Sequence, residues 1–225
     1  MNKLIVQALG TFLSGALLLG VLLFLPAGTF HYWQAWAFIV VFMITLTVFG
    51  VYFSIKDPAL MERRKQAGPA AEQSTLQKIV ATLAFASLVG LFVLGGLDHR
   101  FGWSAMPSFV VWFGDVLVVV VFFLYYLVFK ANSLGASNIR VEENQRVASA
   151  GPFAFIRHPM YSVGVLFFAA IALGLGSWWT LLLIVVAIPV LVLRILDEEK
   201  LLEKELPGYK KYEQKVRYRL IPYIW

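Results

Sequence analysis

Leu4 to Leu25 runs for about 22 residues without a charged side chain, and Trp33–Ile55 and Ile79–Leu97 repeat the pattern. Ser108 to Phe129 makes a fourth run, interrupted only by Asp115. At 1.5 Å of rise per residue, each is long enough as a helix to cross ~30 Å of hydrocarbon. Lipid offers no partner to an open backbone, so runs of this length read as membrane helices. From Tyr161 to Leu196 the chain stays apolar for some 36 residues, too long for one crossing. Gly174-Leu-Gly-Ser177, followed by Trp178-Trp179, breaks this stretch into two arms joined by a tight turn. The first arm, about 16 residues, is short for a full span, which favours a closely packed helical hairpin. Pro189 is expected to kink the second arm. The expected fold is all-α: a polytopic integral membrane bundle of about six helices, the last two a hairpin, with an amphipathic C-terminal tail.

Composition agrees. Apolar residues make up 60% of the chain and charged residues 14%, with a mean hydropathy of +0.77. That leaves too little polar surface to cover a soluble domain of 225 residues. Aromatics reach 16%, including seven Trp, as suits anchoring at two lipid–water interfaces. The first run carries no small-residue cleavage site and is expected to be an anchor, not a removed signal peptide. The absence of cysteine excludes disulfides and thiolate chemistry. His31, His99 and His158 are scattered, so no metal site is expected.

The net charge of +6 would suit nucleic acid, but its placement argues otherwise. With six crossings, every one of the nineteen Lys and Arg residues except Arg100 falls on one side. The positive-inside rule then puts both termini in the cytoplasm, with the bilayer, not nucleic acid, as the partner. Asp115, alone in its span, reads as hydrogen-bonded to a neighbouring helix, or as part of a proton or substrate pathway.

Two polar constellations stand on that positive side. Pro159 suits the first position of a helix, which makes His158 the cap and puts Tyr161 in the first turn. The positive end of the helix dipole points back at Arg157 and His158, favouring an anion or a cofactor that carries one. The plainer reading is a capped membrane helix with an interfacial Arg and His. Further along, Arg194 and Glu198 are four residues apart, share a helix face and can pair, with Glu199 about 100° further round. Leu206-Pro-Gly-Tyr209 breaks that helix. Lys210 to Arg219 then reads as a short basic amphipathic helix, which could simply lie on anionic lipid, before an apolar end at Leu220–Trp225.

Three spaced motifs carry a resemblance. They are Gly151-Pro-Phe-x-x-x-Arg157-His-Pro-x-Tyr161; Arg194-x-x-x-Glu198-Glu199-x-x-Leu202; and Leu206-Pro-Gly-Tyr-x-x-Tyr212 with Tyr218-Arg-Leu-x-Pro222. Together they resemble the isoprenylcysteine carboxyl methyltransferase family over roughly residues 130–225. Phospholipid N-methyltransferases and methanethiol S-methyltransferases look related. The resemblance implies a catalytic region at 130–225 following membrane helices at 1–129. S-adenosylmethionine would lie between the hairpin and the tail, and a lipid-like acceptor would enter from the bilayer. It implies cofactor contacts from Gln145, Arg146, Val147 and Ala148, mostly through backbone. Phe153 stands where relatives often carry Tyr, so a hydroxyl contact is lost there. His158, Pro159, Met160 and Tyr161 would wrap the adenosine end, and Glu198 would hold the amino group. Arg194 would be the catalytic residue facing the substrate.

The chemistry is coherent by itself. Methyl transfer from a sulfonium is an in-line displacement, in which the protein mainly aligns donor and acceptor. A carboxylate or thiolate acceptor needs no strong base, and an Arg suits a forked contact with a carboxylate. A soluble dinucleotide-type fold is excluded, since no Gly-rich loop follows a strand. The alternative is an NADPH-dependent membrane reductase of the sterol or steroid type, whose C-terminal segments carry a similar Arg-x-x-Asn-Tyr pattern. Met160 stands where those enzymes tend to have Asn. A transporter or scaffold is the third class, although no internal repeat is present.

Overall fold

In the computed structural model, which describes residues 2–65, 68–72, 74–133 and 147–225, each apolar run forms a helix. The order is α1 (Asn2–Ala27), α2 (Trp33–Lys56), α3 (Pro58–Lys65), α4 (Thr75–Phe101), α5 (Ser108–Ala131), α6 (Pro159–Gly174), α7 (Trp178–Glu205) and α8 (Tyr209–Lys215). No strand occurs among the described residues. Helices α1, α2, α4, α5 and α7 are long and apolar enough to cross a membrane, and α6 is a shorter apolar helix. At most 33% of the apolar window of any of the five is buried inside the protein. Leu17, Leu25, Val48, Phe109 and Val185 all point outward. An apolar exterior on this scale belongs in hydrocarbon, not water. The chain is an all-helical integral membrane protein.

Local chemistry sets the helix starts. Asp57 Oδ1 accepts the Leu60 N–H at 3.0 Å to open α3, and Ser74 Oγ accepts the Gln77 N–H at 3.1 Å to open α4. That cap starts α4 four residues before the apolar run at Ile79, which hydropathy alone marks as the beginning. Ser177 caps α7 in the same way, accepting the Thr180 N–H at 3.1 Å. Gly176, at φ +72°, lets the chain reverse between α6 and α7. α7 is one helix from Trp178 through Pro189 to Glu205. Its 28 residues span about 42 Å, against ~30 Å of hydrocarbon, so its last turns must project beyond the lipid. α8 stops at Lys215, short of the expected Arg219, and Val216 is extended.

The chain divides into two compact units. The first is Met1–Lys56, Ala86–Phe123 and Val165–Val186; the second is Asp57–Phe85, Leu124–Gly164 and Ala187–Trp225. In the first, Phe42 stacks on Phe167 and meets Phe122 edge-on, both with centroids 5.8 Å apart. Small residues bring backbones together, as is common between membrane helices. A Cβ on Gly96 would stand 2.6 Å from the Leu23 carbonyl oxygen, and one on Gly114 would stand 2.2 Å from the Gly174 nitrogen. The hairpin turn is held by side chains. The Tyr32 hydroxyl donates to the Leu175 carbonyl at 2.7 Å, and buried Asp98 accepts from the Ser104 N–H (2.7 Å), the Ser104 hydroxyl (2.6 Å) and the Ser177 hydroxyl.

Asp115 corrects an expectation. It is buried, but neither carboxylate oxygen has a hydrogen-bond partner, so it is not bonded to a neighbouring helix. The close approach of Gly114 to α6 puts it beside Gly174, which has no side chain, and near Phe38, which has no donor.

The two acids are therefore expected to respond differently to loss of charge. Asp98→Asn should destabilise the protein by roughly 1.5–3 kcal/mol, because it weakens charge-assisted bonds. Asp115→Asn should leave stability unchanged or raise it, since no donor meets its carboxylate. Thermal unfolding of the two variants in detergent checks this, and an equal loss in both would contradict it.

Candidate functional site

The second unit gathers the polar motifs. Pro159 opens α6, and the His158 carbonyl accepts the N–H groups of Tyr161 (3.1 Å) and Ser162 (3.2 Å), as a cap residue should. The residues before the helix are held by the tail. Arg157 N–H donates to the Tyr218 carbonyl and His158 N–H to the Arg219 carbonyl, both at 2.9 Å, and Ser162 Oγ donates to the Leu220 carbonyl at 2.7 Å. This pairing takes the place of the helix expected to continue to Arg219. The tail is anchored in turn by a small core of Leu206, Tyr209, Tyr212 and Val216, against which Val147 and Leu202 pack. The Tyr212 hydroxyl donates to the Phe153 carbonyl at 2.8 Å. Burial pushes the Tyr212 hydroxyl up to about 12, with Arg157 opposing, and burial also raises that of Tyr209, with Glu199 adding to it.

Glu199 is the hub of a buried charge network. Its Oε1 lies 3.2 Å from Arg157 Nη1 and 3.1 Å from His158 Nε2, and its Oε2 accepts from Arg219 Nε at 2.8 Å. Arg157 also pairs with Glu213. Both Arg157 and Glu199 are about 95% buried, where removing one partner of an ion pair typically costs ~3–5 kcal/mol.

Glu198, one residue on, faces a different set. Its Oε2 accepts the Tyr161 hydroxyl at 2.6 Å and lies 4.0 Å from His158 Nδ1, and its side chain is 23% exposed. The His158 and Tyr161 rings stack at 5.7 Å. Arg194 Nε donates to the Tyr161 oxygen at 2.9 Å, so the expected Arg194–Glu198 neighbours are joined through the tyrosine hydroxyl. The other end of Arg194 donates to Gln77 Oε1 (3.0 Å) and Glu72 Oε1 (2.8 Å). Gln77 Nε2 donates to Asp197 Oδ2 at 2.5 Å.

The structure thus brings together His158, Pro159, Met160, Tyr161, Arg194 and Glu198. Val147 and Phe153 sit beside the tail core, with Ala148 partly buried next to Val147. Gln145 and Arg146 lie outside the described residues. Glu72, Gln77 and Arg64 carry no sequence signal for this site, and Glu199 stands in the motif but without a role assigned to it. Arg64 donates to Met160 Sδ at 3.2 Å and lies 4.0 Å over the Phe129 ring. Burial lowers its pKa to about 10, against the raising effect of Tyr125 and Tyr161. An Asp-Glu-Glu run on a helix leaving the membrane was the available hint for Glu199, since consecutive helical residues must face different partners. Among the described residues, no group of three or more His, Cys, Asp or Glu could hold a metal ion.

No curated protein matches this chain. Part of it does match a family: residues 109–207, which run from the start of α5 to just past the end of α7, fit the model of the phospholipid methyltransferases. Over that stretch, which includes His158, Tyr161, Arg194, Glu198 and Glu199, the chain is similar to a family of membrane methyltransferases.

Proposed function

We propose that this chain is an S-adenosylmethionine-dependent membrane methyltransferase acting on a lipidic or small apolar acceptor, carboxylate, thiol or amine, in the manner of isoprenylcysteine carboxyl methyltransferases. The observation that carries this reading is the meeting of the stacked His158–Tyr161 pair with Glu198 and Arg194, all inside the matched region. The donor set suits such a cofactor. Glu198 is a partly accessible carboxylate for a cationic amine, and the adjacent rings suit a flat heterocycle. When bound, the cofactor supplies a methyl group activated by its sulfonium. The protein's part is alignment and charge. Glu198 holds the amino group, His158 to Tyr161 line the adenosine side with Val147, Ala148 and Phe153 nearby, and Arg194 orients the acceptor. Residues 130–225 form the catalytic region, with Gln145 and Arg146 contributing to it. The charge pattern supports a topology with both termini cytoplasmic.

Three outcomes are expected. First, calorimetric titration of detergent-purified protein should show binding of S-adenosylhomocysteine and none of NADPH. Binding of NADPH alone would favour the reductase. Second, Glu198→Ala should weaken S-adenosylhomocysteine by roughly 10- to 150-fold, the ~1.5–3 kcal/mol of a lost charge-assisted contact. Unchanged affinity in a folded variant would remove Glu198 from the site. Third, because the chain has no cysteine, single replacements report topology cleanly. In intact cells a membrane-impermeant maleimide should label Arg100→Cys, and Lys210→Cys only after permeabilisation. The reverse order would invert the topology.

A further inference from the structure

We propose that Glu72 is a positioning residue that keeps Glu198 available to the cofactor, an inference that rests on the reading just given for Glu198. Arg194 and Glu198 are one helical turn apart, the spacing at which an arginine captures a carboxylate directly. A Glu198 neutralised by Arg194 would be a poor partner for a cationic amine. The observed geometry opposes that collapse. Glu72, with a side chain only 3% exposed, takes the Nη2 end of the guanidinium at 2.8 Å. Gln77 accepts from Nη1 at 3.0 Å and is itself tied to Asp197, three residues beyond Arg194. The guanidinium is thereby drawn to the far side of Tyr161, towards which its Nε points at 2.9 Å. Because the tyrosine oxygen accepts from Arg194, its own O–H is directed at Glu198, where it lies 2.6 Å away. Glu198 thus receives the neutral Tyr161 hydroxyl on one oxygen in place of the guanidinium.

Two carboxylates thus compete for one buried cation, and Glu72 holds it. Glu72 and Gln77 precede residues 109–207, so the working site reaches beyond the stretch that resembles the phospholipid methyltransferases. A buried pair of this kind depends on both partners. Without the charge on Glu72, the carboxylates left within a turn of Arg194 are Asp197, which is tied to Gln77, and Glu198, which has only the Tyr161 hydroxyl between it and the guanidinium.

The test is S-adenosylhomocysteine binding to the full chain in detergent, with thermal unfolding measured alongside. Glu72→Gln, which keeps the acceptor oxygen and removes the charge, should weaken binding by roughly 10-fold, the loss expected for one charge-assisted contact. Adding Arg194→Gln, which removes the competing cation, should restore affinity to within about 3-fold of wild type, a non-additive result expected only of coupled groups. A merely structural role predicts no such rescue. If Glu72→Gln does not give monodisperse protein, Glu72→Asp retracts the carboxylate by one methylene without changing charge, and should also weaken binding. Wild-type protein that fails to bind S-adenosylhomocysteine would overturn the functional reading and this inference with it. Wild-type binding that neither Glu72 variant weakens, or a double variant as weak as Glu72→Gln, would overturn the inference alone.

Discussion

A carboxylate sealed away from water must find its charge compensated, and Glu199 meets that condition by drawing two arginines and a histidine from two separate parts of the chain. Arg157 and His158 come from the approach to α6, and Arg219 comes from the tail. Isolated, each would be costly in this setting; together they make one compact group. The tail therefore does not simply lie on lipid as a basic strip. Its backbone carbonyls at Tyr218, Arg219 and Leu220 take hydrogen bonds from Arg157, His158 and Ser162, so the same segment supplies charge and main-chain acceptors.

With Glu199 held by these partners, its neighbour Glu198 meets a different set. Consecutive helical residues point about 100° apart, so Glu198 looks towards Tyr161 and keeps some exposure while Glu199 has almost none. Two adjacent acids on one helix thus meet opposite surroundings, one sealed among basic side chains and one partly exposed beside Tyr161. Arg194 follows the same logic from the other side, because its charge is answered by Glu72 and its remaining donors order Gln77 and Tyr161.

The lengths of α6 and α7 explain why these groups meet at one level. The two helices are joined by only three residues, Leu175 to Ser177. The sixteen residues before the turn begin at Pro159, and the first sixteen of α7 end at Leu193, next to Arg194. The 16 residues of α6 rise about 24 Å, less than the ~30 Å of hydrocarbon, whereas the 28 of α7 rise about 42 Å.

Much of this was written locally. Hydropathy marks each span because transfer into lipid is a property of the segment itself. Gly174 to Ser177 mark the reversal, and Pro159 marks a helix start, because glycine and proline act on their own backbone. The order of the Arg157-His158, Arg194-Glu198-Glu199 and tail motifs likewise points to the methyltransferase-like half. Charge partnership was not written there. Arg219 meets Glu199 across 20 residues, His158 meets it across 41, Arg157 meets Glu213 across 56 and Arg194 meets Glu72 across 122. Sequence spacing allowed a direct Arg194–Glu198 pair, and a hydrogen-bonded Asp115 was one of two readings. The fold instead set Tyr161 between the first two and placed Asp115 beside a glycine. An apolar run carries its preference for lipid wherever it lies, but a buried charge is matched only by whatever the folded chain brings within ~4 Å of it. The sequence alone therefore determined the membrane helices and the half of the chain that carries the motifs, and the tertiary structure decided which acid is sealed and which stays available.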